Sequence, residues 1–197
     1  NVHITSVRVA EDRAAEGKRL GAYAASLSID PYELTVGLLR RNNGSVGMVG
    51  FAMSEENLDR ILAHPQGMVC SDGGGFAIDG PTRRGSPHPR GIGTFPRVLG
   101  RYVRERKALT LTQAIHKMSM LPASRVGLSD RGRLVVGAPA DIVVFDANTV
   151  ADTATYEQPF QYPTGISAVV VNGAVALHHG ERRGTGRGDV LRPGGNR

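Results

Sequence analysis

Asp72 is the side chain around which chemistry can be organised in this sequence. It follows the apolar run Met68-Val69-Cys70 and Ser71, and it precedes Gly73, Gly74 and Gly75. A run this short suits a strand buried on both faces, as in a parallel sheet. Parallel α/β folds carry their reacting groups at the C-terminal ends of such strands. The three glycines let the backbone turn sharply and leave open space beside the acid. Two readings stand on these residues alone: a site carboxylate able to take up and return a proton, or an Asp-Gly pair that merely opens a turn.

The loop that follows, residues 76–92, is rich in Gly, Pro and Arg. Loops of this length inside a compact domain are commonly functional or disordered. His88 and Arg90 are its candidate site residues. They would either orient the loop or meet a substrate carboxylate, which arginine can grip with two hydrogen bonds. Gly73 and Gly74 are candidate substrate-binding positions beside them. Cys70, inside the strand, reads as a small buried residue.

Other chemistries lack their residues. His3, His64, His88, His116, His178 and His179 form no metal-ligand pattern. His178 and His179 would point to opposite faces of a strand. There is no Gly-x-x-x-x-Gly-Lys phosphate loop and no Gly-x-Ser-x-Gly elbow. Gly91-Ile92-Gly93 lacks the third glycine of a dinucleotide fingerprint, and Arg187-Gly188-Asp189 is too short to carry weight.

The elements that must position these residues alternate. A weak strand covers 3–9, and Leu20, Ala24 and Leu27 stand at helical spacing. Asp30-Pro31-Tyr32-Glu33 opens a helix with a cap, a proline at the first position and an acid at the third. Its apolar face is Leu34 and Leu38, and Arg40, Arg41 and Asn42-Asn43-Gly44 end it. A buried strand is expected over 46–51, then a helix capped by Ser54 with Leu58, Ile61 and Leu62 on one face. His64-Pro65 stops it before the strand that ends at Asp72. Helix, strand, helix, strand in this order suggests a right-handed parallel unit.

A helix is predicted over 95–107 and another after Thr110, with Gln113 completing a capping box and Ala114, Ile115 and Met118 buried. Pro122 opens a last short helix. Beyond Asp130 the texture is that of strands: 133–136, 142–145, 166–171, 174–177 and Val190-Leu191. Asn172-Gly173 is a strong hairpin signal, because a type I′ turn needs positive φ at both central residues. The tail 180–197 reads as an extended arm with mobile end residues.

Composition narrows the partners. The chain has 197 residues, 40% hydrophobic and 21% charged, which fits a folded domain. Its net charge of +6 gathers in 83–107 and the tail. These arginines are not interleaved with stacking aromatics and there is no tryptophan, so a solvated surface is expected rather than a nucleic-acid footprint. No apolar run approaches the roughly 20 residues that span a bilayer. The single cysteine fits a reducing compartment and the start lacks a signal-peptide pattern, so a cytoplasmic chain is expected.

Ser71-Asp72-Gly73, Pro87-His88-Pro89-Arg90, the segment Gly93-Thr94-Phe95-Pro96-Arg97-Val98-Leu99-Gly100, the segment Gly137 to Asp146 and Val171-Asn172-Gly173 together carry a resemblance. The sequence resembles the amidohydrolase superfamily and, within it, the N-acyl-D-amino-acid deacylases (D-aminoacylases), from about Ala10 to Arg192. The resemblance implies an α/β chain: the C-terminal part of a (β/α)8 barrel over residues 1–128, with 46–51 and 68–71 as its seventh and eighth strands. Residues 129–197 would supply part of an accessory β-sandwich and a C-terminal arm. It implies a zinc-dependent hydrolase of N-acyl-D-amino acids with Asp72 as general acid/base.

Two strands do not close a barrel, which takes eight and about 250 residues. An N-terminal polypeptide of about 250–350 residues, a separate subunit or a cleaved piece, would therefore carry the metal ligands. Two alternatives stay open at this level: a cyclic-amide hydrolase of the hydantoinase or dihydroorotase kind, and a non-catalytic binding domain with a basic surface.

Overall fold

The computed structural model describes residues 2–184 and 186–192. The chain forms two compact units built from separated segments. The first comprises Asn1–Ser54, Ser71–Ile92 and Thr153–Tyr162; the second comprises Glu55–Cys70, Gly93–Asp152 and Pro163–Arg197.

In the first unit, β1 (Val2–Ser6) pairs antiparallel with β2 (Gly47–Gly50), His3 lying opposite Val49. Between them run a 3-10 helix (Ala10–Ala15), α1 (Leu20–Ser26) and α2 (Pro31–Arg41). Asp30 caps α2 as its sequence predicts, accepting from the Tyr32 and Glu33 N–H groups at 2.8 and 3.2 Å. Ile4, Ala15, Ala24, Leu34 and Leu38 form the core.

Asn42, at the end of α2, is fully buried. Its Oδ1 accepts from the Arg8 and Val9 N–H groups at 2.7 and 2.8 Å, and its Nδ2 donates to Asp12 at 2.7 Å. Arg41 grips the same Asp12 through Nε and Nη2. These bonds pair main-chain N–H groups that lead into the 3-10 helix and a buried carboxylate within it.

In the second unit, α3 (Glu55–Ala63), the later turns of α4 (Arg90–Arg97), a π-helix (Val98–Glu105), α5 (Leu111–Met118) and α6 (Met120–Arg125) accompany a four-stranded antiparallel sheet. The sheet order is β3 (Ile142–Phe145), β4 (Ile166–Val171), β5 (Ala174–His178), β6 (Glu181–Arg182). Val98, Leu99, Tyr102, Leu109, Ala114 and Val150 are the core. The Thr110–Gln113 capping box forms, and Asn172 and Gly173 turn at φ 48° and 79° as the hairpin requires. Among the described residues no helix is long and apolar enough to cross a membrane.

Several expectations need correction. β2 is half-exposed rather than buried and pairs antiparallel with β1, so 46–51 and 68–71 form no parallel unit. Residues 68–71 belong to no ladder, and Cys70 is exposed. Short apolar texture shows that a stretch can be covered, but a strand exists only with a paired neighbour. The helix expected over 95–107 starts at Arg90, inside the predicted loop, and widens to a π-helix at Val98. Pro96 has no N–H to give to the α-helical ladder just before that point.

Around α5 and the sheet the differences are smaller. Ala114 is buried but Ile115 is exposed, while Lys117 is buried instead. Residues 133–136 and Val190-Leu191 form no strand, and Val136 is wholly exposed. His179 turns at φ 47° after β5, so its ring meets that of His178 at 4.4 Å instead of pointing to the opposite face. Of the tail, residue 185 and residues 193–197 lie outside the described residues.

Candidate active site

Residues 64–69, which precede Asp72 in the sequence, are held by a helix end and not by a sheet. In the second unit Lys117, 4% exposed, donates to the His64 carbonyl and, at 3.0 Å, to the Gly67 carbonyl. Its own carbonyl accepts from the Val69 N–H at 3.2 Å. A buried ammonium needs such acceptors, and these carbonyls need a donor, so each satisfies the other.

Asp72 itself lies in the first unit with an exposed side chain. It adopts φ 42°, the left-handed region that residues with a side chain enter at a cost. Arg90, the first residue of α4, donates from Nη2 to Asp72 Oδ2 at 2.5 Å and from Nε to the Asp72 carbonyl at 3.2 Å. One guanidinium therefore fixes both the side chain and the strained main chain. Neither bond engages Asp72 Oδ1, so these two contacts leave that oxygen to accept a proton.

The turn after Asp72 depends on glycine for a steric reason. A Cβ placed on Gly73 would come within 2.6 Å of the Gly91 Cα, and one on Gly91 within 2.8 Å of the Phe76 ring. Gly75 has open space. Gly73 thus lets the loop after Asp72 lie against the start of α4, which keeps Arg90 within reach of the carboxylate.

His88 stands two residues before Arg90. Its Nδ1 accepts from the Arg90 N–H at 3.0 Å, and its Nε2 meets the Tyr156 hydroxyl at 3.1 Å. The structure therefore brings Asp72, Gly73, His88 and Arg90 together. Gly74 instead faces the Phe76 ring, 3.4 Å from where its Cβ would stand.

Tyr156 was not foreseen. It comes from a segment with no motif of its own, and its place depends on the fold. Three basic residues were also missed as a group. A groove of ≈ 680 Å³ in the first unit is lined by Arg13, Arg83, Arg84, Phe76, Thr5 and Glu16 among others. Arg83 lies over the Phe160 ring at 5.0 Å. The charge of 83–107 is the sequence signal for Arg83 and Arg84; nothing in the sequence links Arg13 to them.

One buried histidine completes the surroundings. His3 is 1% exposed beside Arg19, and burial followed by that positive neighbour pushes its pKa down. Arg19 lies 3.8 Å over the Phe51 ring, and Phe51 meets Tyr156 edge to face at 4.7 Å. His3, Phe51, Tyr156 and His88 thus form one aromatic cluster behind Arg90.

The chain is similar to known proteins over most of its length. The model of the Amidohydrolase family matches residues 75–177, more than half of the chain. N-acyl-D-glutamate deacylase of Alcaligenes xylosoxydans xylosoxydans is 52% identical over 131 residues, covering 66% of this chain and 25% of that protein. The crystal structure of N-acyl-D-glutamate deacylase from Bordetella bronchiseptica, solved with zinc and a phosphonate that mimics the tetrahedral intermediate, superposes with a TM-score of 0.75 at 40% identity. It covers 89% of this chain and 34% of that one. A crystal structure of D-aminoacylase gives a TM-score of 0.82 at 36% identity, covering 97% and 37%. The chain thus spans between a quarter and somewhat over a third of the length of these proteins. With a family model matched over the segment that follows Asp72 and carries His88 and Arg90, the chain belongs to the amidohydrolase family.

Proposed function

We propose that this chain is the C-terminal portion of a zinc-dependent deacylase that hydrolyses the amide bond of N-acyl-D-amino acids to a carboxylate and a free D-amino acid. The observation that carries this reading is the exposed Asp72 carboxylate, gripped on one oxygen by Arg90, in a chain similar to N-acyl-D-glutamate deacylases and D-aminoacylase. Residues 1–128 would then be barrel-derived and 129–197 sandwich-derived.

Asp72 is the general acid/base in this reading. Its open oxygen takes a proton from the attacking water and returns it to the departing nitrogen, because an amine leaves poorly unless protonated. Arg90 keeps the other oxygen engaged, so the carboxylate does not rotate between the two transfers.

Zinc does not fit this chain alone. Among the described residues no group of three or more His, Cys, Asp or Glu side chains could hold a metal ion. The ligands therefore belong to the N-terminal portion, whether in one continuous chain or as a separate polypeptide. When bound there, the metal would supply an activated water and polarise the scissile carbonyl.

The test is release of D-amino acids from a panel of N-acetyl-D-amino acids by the full-length enzyme, with L-isomers as controls. Asp72→Asn should lower turnover by roughly 10²–10⁴-fold with zinc content unchanged. Near-normal turnover in that variant would remove Asp72 from the chemistry.

A further inference from the structure

We propose that Tyr156 and His88 are positioning residues for Asp72, acting through Arg90; the inference rests on Asp72 as the reacting carboxylate. Neither residue bonds Asp72. Their role follows from the chain of bonds that ends on it.

Asp72 is exposed and sits at φ 42°, a conformation that persists only where its surroundings over-determine it. Arg90 does so by bonding both its carboxylate and its carbonyl. A long flexible guanidinium holds one geometry only if its own base is fixed. That base is the Arg90 N–H, bonded to His88 Nδ1 at 3.0 Å.

This bond sets the state of the His88 ring. A nitrogen that accepts from an N–H carries no hydrogen, so the neutral imidazole carries its hydrogen on Nε2. Nε2–H then donates to the Tyr156 hydroxyl oxygen at 3.1 Å. In the other tautomer the Nδ1 hydrogen would face the Arg90 N–H, and the link to Arg90 would break. The Arg90 N–H thus selects the tautomer, and Tyr156 fixes the ring by accepting from its Nε2–H.

Tyr156 is itself immobilised. Its ring meets Phe51 edge to face at 4.7 Å, His88 at 5.1 Å and His3 at 5.9 Å. Its carbonyl accepts from the Ser86 hydroxyl at 3.3 Å. The line Tyr156–His88–Arg90–Asp72 therefore runs from a packed aromatic cluster to an exposed carboxylate, all within the first unit.

Two measurements on the full-length enzyme test this. Tyr156→Phe keeps the ring and its packing but loses the hydroxyl. His88→Asn can keep an acceptor for the Arg90 N–H but loses the Nε2 donor. Each should lower kcat about ten-fold, as small misplacements of a reacting group do, with KM changed less than about two-fold. The double variant should be no worse than the more impaired single variant, because both cut one link. Unchanged kcat in Tyr156→Phe, or effects that multiply, would overturn the proposal.

The second measurement needs no turnover. Nitrogen-15 spectra of the histidine rings, with His88 assigned by its loss in His88→Asn, should show the Nε2–H tautomer in the wild type and, in Tyr156→Phe, the same tautomer with its Nε2 resonance shifted by loss of the hydrogen-bond acceptor. The Nδ1–H tautomer in the wild type overturns the proposal whether or not either variant folds. A wild-type enzyme without deacylase activity would sink the functional reading, and the ring spectra would still decide the linkage.

Discussion

Arg90 holds Asp72 at two points, Nη2 on Oδ2 at 2.5 Å and Nε on the main-chain carbonyl at 3.2 Å. The same guanidinium that engages the carboxylate therefore also secures its left-handed backbone. The contact suits Arg90 to anchoring the acid, beside the sequence reading that it meets the substrate's own carboxylate.

The two roles separate kinetically. If Arg90 anchors Asp72, Arg90→Ala in the full-length enzyme should lower kcat by about ten-fold or more and leave KM nearly unchanged. Arg90→Lys should recover little, since one ammonium cannot reproduce two divergent donors. A rise in KM alone would instead place Arg90 on the substrate.

Gly73 should not tolerate a side chain. Its Cβ would lie 2.6 Å from the Gly91 Cα, and main chain cannot swing aside as a flexible side chain can. Gly73→Ala should destabilise by about 1–3 kcal/mol, or displace the loop and lower turnover. Gly75→Ala, with nothing within 4 Å, is the matched control and should leave the thermal midpoint nearly unchanged. Equal midpoints and equal turnover for the two variants would show that the close approach does not matter.

The Asp12–Arg41–Asn42 network should dominate the acid stability of the first unit. Hydrogen bonds from Arg41, with a smaller one from Asn42, hold the Asp12 carboxyl below its ordinary range against the opposing effect of burial. The folded value is thus lower than the unfolded value of about 4. The stability this confers is complete above the unfolded value and is lost as pH falls through the folded one. Asp12→Asn should therefore flatten the acid side of a stability–pH curve followed by thermal unfolding. An unchanged acid slope would assign the acid loss to other carboxylates.

Asn42→Ala tests the same network at neutral pH. It strands the Arg8 and Val9 N–H groups in half-buried surroundings and takes from Asp12 Oδ2 one of its two donors, Arg41 Nε remaining at 3.1 Å. A loss of about 3 kcal/mol or more is expected by denaturant titration, because each stranded group costs about 1–3 kcal/mol. A loss below about 1 kcal/mol would mean that water replaces the missing partner.

Local chemistry was legible in the sequence wherever near neighbours satisfy one another. The Asp30 cap, the Thr110–Gln113 box and the Asn172-Gly173 turn each involve groups within four residues, so residue type and spacing decide them. Asp72 with Gly73, His88 and Arg90 were also marked in advance, because an acid beside glycines and a His-Pro-Arg loop are conspicuous without coordinates.

The tertiary structure alone decided the rest. Whether 46–51 and 68–71 become buried strands depends on which segments pair with them. An apolar stretch carries no record of its neighbour: 47–50 took β1, and Val69 took the Lys117 carbonyl instead of a ladder. The burial of Lys117 and the exposure of Cys70 follow from that choice. Tyr156 reaches His88 across 68 residues of sequence, and Arg90 turns back onto Asp72 across 18. Contacts of that span are set by packing in three dimensions, where the sequence pattern of either partner says nothing about the other.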